Sequence, residues 1–169
     1  MKRPGAGPGS ARIVLRPIGG HGESSLGGFS PGDHAALVEQ LIEQTIRHFG
    51  GEPTAPWQAY LAADPVRGVV IGTCAFKAPP DAERRVEIAY FTFPGFEGQG
   101  YATAMAGALI ALAREASSDV RVIAHTLPEE NASGSVLRKV GMWRTGEVVD
   151  PEDGLVWRWE CGAEGGPEV

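Results

Sequence analysis

Glu97-Gly98-Gln99-Gly100-Tyr101-Ala102-Thr103 lies between a run of branched and aromatic residues, Val86 to Phe93, and a long apolar helical pattern, Tyr101 to Ala116. Two glycines at such a junction let the backbone curl so that its N–H groups converge at the positive end of the helix. That geometry suits a phosphate or a diphosphate. A plain tight turn uses the same glycines, so the stretch alone leaves both readings open. It does exclude other phosphate folds. No Lys-Ser or Lys-Thr pair follows to make a nucleotide P-loop, and no third glycine with a later acidic residue makes a dinucleotide site.

Working outward, Val86 to Phe93 is apolar on both faces, as a central strand is, and ends at Pro94-Gly95. On the helix, Met105, Leu109 and Leu112 form one stripe, with Ala102, Ala106 and Ala113 small enough to pack closely on a sheet. Val120 to Thr126 is the next strand. Strand, helix and strand make a crossover, so the two strands are expected to run parallel. Upstream, Arg12 to Arg16 reads as a strand and Gly19 to Gly32 as loop. Asp33 is placed to cap a first helix, His34 to His48, which Gly50-Gly51 ends. Trp57 to Ala63 and Val69 to Phe76 form a hairpin across Asp64 to Gly68. Downstream, a short helix, Ser133 to Val140, stops at Gly141, and Met142 to Val149 with Leu155 to Glu160 close the fold as a second hairpin.

A length of 169 residues suits one domain. The domain is expected over residues 11–161, between flexible tails at 1–10 and 162–169. Met1 to Ser10 has Lys2 and Arg3 but no apolar core, so it does not read as a secretion signal. No apolar run is long enough for a membrane span, which argues against a membrane partner. The net charge is −6, and the fifteen Lys and Arg residues are scattered, which argues against nucleic acid. Cys74 and Cys161 lie far apart in apolar segments and read as buried thiols in a reducing cytoplasm. His21, His34 and His48 have no Cys or carboxylate at ligand spacing, so no metal is expected.

With these elements in order, the chain resembles the GNAT superfamily of acetyltransferases from Arg12 to Glu160. Val70-Ile71-Gly72-Thr73-Cys74-Ala75-Phe76 looks like the strand before its core, and Val86-Glu87-Ile88-Ala89-Tyr90 like its central strand. Gly98-Gln99-Gly100-Tyr101-Ala102-Thr103 looks like its pyrophosphate loop. Asn131-Ala132-Ser133 through Gly141-Met142 looks like its later cofactor-contacting helix, and the entry Thr126-Leu127-Pro128-Glu129 is similar to the branch containing ribosomal-protein N-terminal acetyltransferases.

The resemblance implies an α/β fold with a single mixed, mostly antiparallel sheet, flanking helices and a central parallel pair that splays apart. It implies acetyl-CoA as cosubstrate, with its pantetheine arm in the gap. Backbone groups of Phe91, Thr92 and Phe93 are expected to hold the arm, with Asn131 reaching it from the facing loop. The amides of Gly98, Gln99, Gly100, Tyr101, Ala102 and Thr103 are expected on the diphosphate. A bulge in the central strand is expected to aim a free amide at the thioester carbonyl. The implied activity is direct acetyl transfer to an amine, either a small molecule or a protein N-terminus, by a monomer or homodimer. A turnover-deficient acyl-CoA-binding domain is the alternative.

Two residues are candidates for the base. Glu87 is a carboxylate in an otherwise apolar strand, at a position that serves as base in some GNAT enzymes, and burial is expected to bring it towards the working range. Pairing with a cation or turning to water is its structural alternative. His125 lies near the end of the partner strand, where the sheet opens. The sequence departs from the family at Glu97, where Gln or Arg is usual, and at Leu137, where many relatives have a thiolate-protonating Tyr. Tyr90, Tyr101 or water must then serve.

Overall fold

The computed structural model describes residues 11–19, 25–50 and 53–161; the two expected tails and His21 lie outside the described residues. Ten regular elements follow in chain order: β1 (Val14–Pro17), α1 (Ala35–Phe49), β2 (Ala59–Asp64), β3 (Val69–Phe76), β4 (Arg85–Thr92), α2 (Tyr101–Ala116), β5 (Arg121–Thr126), α3 (Ala132–Lys139), β6 (Trp143–Asp150) and β7 (Gly154–Cys161). The strands make one seven-stranded sheet in the order β1-β2-β3-β4-β5-β7-β6. Every neighbour is antiparallel except the pair β4 and β5, which are joined by the α2 crossover.

Period-two alternation divides the side chains between two cores. On one face Tyr60, Phe76, Val86 and Ile88 meet Met105, Leu109 and Ala113 of α2, with Leu137 of α3 and Trp159 of β7. On the other, Leu61, Val70 and Phe93 pack under Val38, Leu41 and Ile42 of α1. Gly72 lets β3 and β4 close on each other, because a Cβ there would run into the carbonyl oxygen of Phe91.

The helix α2 has the bounds expected from its pattern, and α1 ends as expected at Gly50, whose φ of 62° is left-handed. The start of α1 differs. Asp33 lies inside a 3₁₀ turn, Gly32–His34, and His34 is the N-cap without a side-chain bond. Pro31 and Gly32 start this turn before the helix proper, so the carboxylate sits too early to cap it. β2 begins at Ala59 rather than Trp57, because Trp57 and Gln58 donate backwards to Thr54 O and Pro56 O within a turn. Both cysteines are buried thiols, and burial pushes Cys74 up to about 12.

Asp64, at the end of β2, ties the β2–β3 turn to α2. Its Oδ1 accepts from the amides of Val66 (2.8 Å) and Arg67 (3.1 Å), and its Oδ2 accepts from Tyr101 OH at 2.6 Å. Burial pushes its pKa up most, yet the Tyr101 hydroxyl and the two amides outweigh burial and hold it below the usual range. Asp64→Asn is expected to cost about 1–3 kcal/mol, a melting point lower by roughly 3–10 °C. Since the folded carboxyl is the stronger acid, its contribution is present above the ordinary carboxylate pKa and disappears as pH falls through the folded value. Thermal melts of wild type and variant should therefore converge in acid.

Candidate active site

β4 and β5 pair only at Arg85↔Arg121, Val86↔Val122 and Glu87↔Ile123. Beyond that point β4 stays with β3 and β5 stays with β7, out to Thr126↔Trp157, so the sheet opens between them. Register decides which groups face the gap. Lys77 N donates to Glu87 O and Phe93 N to Ile71 O, both at 2.9 Å, so the odd-numbered residues of β4 spend their backbone groups on β3. The even-numbered residues point the other way: the Ile88 N–H is used by the last rung of the β4–β5 ladder, on Ile123 O, and the Ile88 C=O with the N–H and C=O of Tyr90 and Thr92 face the gap. Of the three residues expected there, Thr92 faces it, whereas the backbones of Phe91 and Phe93 are committed to β3. Ile88 and Tyr90 escape sequence reasoning, because strand parity is invisible until a partner sets the register.

The expected bulge is absent from this strand. The β3–β4 register is continuous from Gly72↔Thr92 to Phe76↔Ile88, and the sheet's two register shifts lie at Ala62/Ala63 and Arg144/Gly146. Divergence of β5 frees the amides here, and no inserted residue is needed.

The gap leads to the glycine loop. Gly98 (φ 71°) and Gly100 (φ 85°) are both left-handed, and Gly100 is the N-cap of α2 without a side-chain bond. The first helical bond is Ala104 N to Gly100 O, which leaves the amides from Gly98 to Thr103 without a protein acceptor among the described residues. Side chains brace the loop from behind. Glu97 Oε2 accepts from Gly95 N (2.9 Å), Gln99 Nε2 donates to Gly95 O (3.2 Å), and Arg67 Nη2 donates to Gln99 Oε1 (2.9 Å). Asn131 caps α3, its Oδ1 accepting from Gly134 N at 3.0 Å, so its amide NH₂ is what remains for a ligand.

At the closed end of the gap four side chains form a row across one sheet face. Lys77 Nζ lies 2.8 Å from Glu87 Oε1, the same oxygen lies 3.0 Å from His125 Nδ1, and Arg158 Nε lies 3.3 Å from His125 Nε2. A guanidinium can only donate, so His125 accepts at Nε2, carries its proton on Nδ1 and donates it to Glu87. Glu87 and His125 are thus brought together, whereas Lys77 and Arg158 were not anticipated. Glu87 is not isolated in an apolar pocket. Parity turns it away from the α2 core towards Lys77, with its side chain 21% exposed. Lys77, Glu87 and His125 of this row border a cavity of about 310 Å³ that also reaches Tyr90, Asn131 and Asp153.

The family described as acetyltransferase (GNAT) domain matches residues 28–143. The chain belongs to the GNAT acetyltransferase family. Its fold is similar to that of RimL, the ribosomal L7/L12 alpha-N-protein acetyltransferase, with a TM-score of 0.65 at 18% identity over 92% of this chain and 96% of that one. RimL in complex with coenzyme A superposes equally well (TM-score 0.65, 16% identity, 91% and 96% covered). A spermidine N-acetyltransferase chimera of Vibrio cholerae SpeG and hSSAT has a TM-score of 0.63 at 13% identity, covering 89% and 95%. A search of the curated proteins finds no match to this sequence.

In this GNAT domain the two departures from the family pattern have structural settings. The Glu97 carboxylate is turned onto the Gly95 amide, where it shapes the loop. Leu137 is packed at 1% exposure in the α2-side core. Tyr101 OH is committed to Asp64, away from the gap. Tyr90 borders the cavity, its OH 3.4 Å from Ser133 O, and burial holds its phenol up at about 12. Among the described residues no helix is long and apolar enough to cross a membrane, and no group of three or more His, Cys, Asp or Glu could hold a metal ion.

Proposed function

We propose that the chain is an N-acetyltransferase that moves the acetyl group of acetyl-CoA directly to an amine. The observation that carries this reading is the line of backbone groups left without a strand partner, from the Ile88 carbonyl, Tyr90 and Thr92 in the gap to the Gly98–Thr103 amides at the α2 N-terminus, starting beside Glu87. The strand amides suit a pantetheine arm and the loop amides a diphosphate. Asn131 contributes its NH₂ group from the facing helix. RimL, which shares the fold, is known with coenzyme A bound.

A thioester is an activated acyl donor, so the site's work is to orient an amine and accept its proton. Glu87 is the proposed base, through Oε2, which no other described side chain engages. His125 holds the other oxygen and orients the carboxylate. Tyr90 retains its proton and is the phenol placed to donate to the departing thiolate. Asp150 and Asp153 act electrostatically on Lys77 and, with Glu87, make the surroundings acidic, which favours a cationic amine. An acyl-CoA-binding domain without turnover is the weaker reading, since a carboxylate and a phenol both border the cavity.

Acetyl-CoA at about a hundred times its Kd is expected to stabilise the fold by about 2.7 kcal/mol, a melting shift of roughly 5–10 °C. Release of CoA in a panel of primary amines, cationic ones included, should then identify the acceptor. The absence of any shift at millimolar acetyl-CoA would overturn the reading.

A further inference from the structure

Lys77 follows β3 directly and enters the same cavity as Glu87, Tyr90 and His125. It is one of only three lysines, with Lys2 and Lys139, in a chain whose other twelve Lys and Arg side chains are arginines. An arginine would make the same ion pair with Glu87 at least as well, but only a lysine can lose its proton and become a nucleophile. Its side chain is 45% exposed, with Nζ 2.8 Å from the carboxylate oxygen. A primary ammonium of the protein itself is thus already paired with the carboxylate proposed to take an acceptor amine's proton.

We propose that Lys77 is an intramolecular acetyl acceptor, so that this domain acetylates itself at the mouth of its own active site. The proposal rests on the acetyl-CoA reading above. The diphosphate loop follows the C-terminal end of β4, so an arm running back along the gap past Thr92, Tyr90 and Ile88 brings its free end to Glu87 and Lys77. The neutral Nζ attacks the thioester carbonyl, an N–C bond forms and the C–S bond breaks. Coenzyme A leaves as the thiolate and takes a proton to become the thiol, while the surplus proton of the former ammonium passes to Glu87 and on to solvent. The product is a neutral amide, which removes the cation from Glu87.

Charge at the site sets the pH dependence. Lys77 faces Glu87 on β4, with His125 of β5 on the same carboxylate oxygen, Asp150 at the end of β6 and Asp153 in the β6–β7 turn, while His48 of α1 touches its carbonyl. Burial lowers its pKa, but Glu87, Asp150 and Asp153 outweigh that and hold it above the ordinary value. The neutral fraction at pH 7 is therefore small and grows about tenfold for each pH unit.

The test uses the full chain with acetyl-CoA and no added amine, at about pH 9, with acetylation of each lysine followed by peptide mass mapping. Lys139, exposed on α3, reports uncatalysed chemistry. Lys77 should be modified at least about tenfold faster than Lys139, at a rate that saturates in acetyl-CoA, is independent of protein concentration and is suppressed by free CoA. Equal rates at the two lysines, or a rate that rises linearly with acetyl-CoA and ignores CoA, would overturn the proposal. A melting shift with acetyl-CoA but an unmodified Lys77 would refute self-acetylation and leave the acetyl-CoA reading intact. No shift and no modification would remove both.

Discussion

Glu87→Gln is expected to lower kcat for amine acetylation by roughly a hundredfold or more while leaving the Kd for acetyl-CoA within about twofold. The separation follows from the geometry, because the carboxylate faces the sheet surface that carries Lys77, His125 and Arg158, whereas the proposed cofactor groups are backbone amides of alternate residues. Glutamine keeps an oxygen for His125 Nδ1 but cannot accept the amine's proton. The defect should shrink at high pH, where more of the acceptor is already neutral. Glu87→Gln also leaves the Lys77 ammonium unpaired, which can disturb the site by itself. The double variant Glu87→Gln/Lys77→Met removes both charges and should remain slow. Normal turnover in either variant at neutral pH would move the proton-accepting role to His125 or to solvent.

Gly100→Val is expected to abolish the melting shift given by acetyl-CoA. At a φ of 85° a β-branched residue is strained, and its side chain stands at the turn that presents the Gly98–Thr103 amides. The strain alone costs the free protein about 1–2 kcal/mol of stability and so lowers its melting point, and each variant must be compared with its own ligand-free melt. Gly100→Ala separates the two effects, since it carries most of the strain with little of the bulk. Isothermal titration should then rank wild type, Ala and Val in falling affinity. An unchanged Kd in Gly100→Val would show that the loop is a turn and nothing more.

The residues that declared themselves in the sequence are those whose signals are local. The bounds of α2, Tyr101–Ala116, follow from a helical stripe bracketed by Gly100 and the polar Ser117. The glycine loop follows from turn chemistry, and the parallel β4–β5 pair from a strand, a helix and a strand in succession. Glu87 and His125 stood out as polar residues in apolar strands.

Tertiary structure decided how those residues meet. Register turned the backbones of Phe91 and Phe93 towards β3 and left the Ile88 carbonyl, Tyr90 and Thr92 facing the gap, a choice that depends on a partner strand and not on the composition of β4. Pairing across sequence separations of 38 and 33 residues put His125 on Glu87 and Arg158 on His125. The lysine after β3 became part of the site because its backbone pairs with Glu87 itself, which sets both side chains on one face. Tyr101 and Glu97 show the same division, since their places in the loop are legible but the Asp64 and Gly95 partners that define their roles are not. Periodicity and turn residues act over a few positions and determine the elements. Which polar atoms become a site depends on long-range register, which the chain settles only when the strands pair.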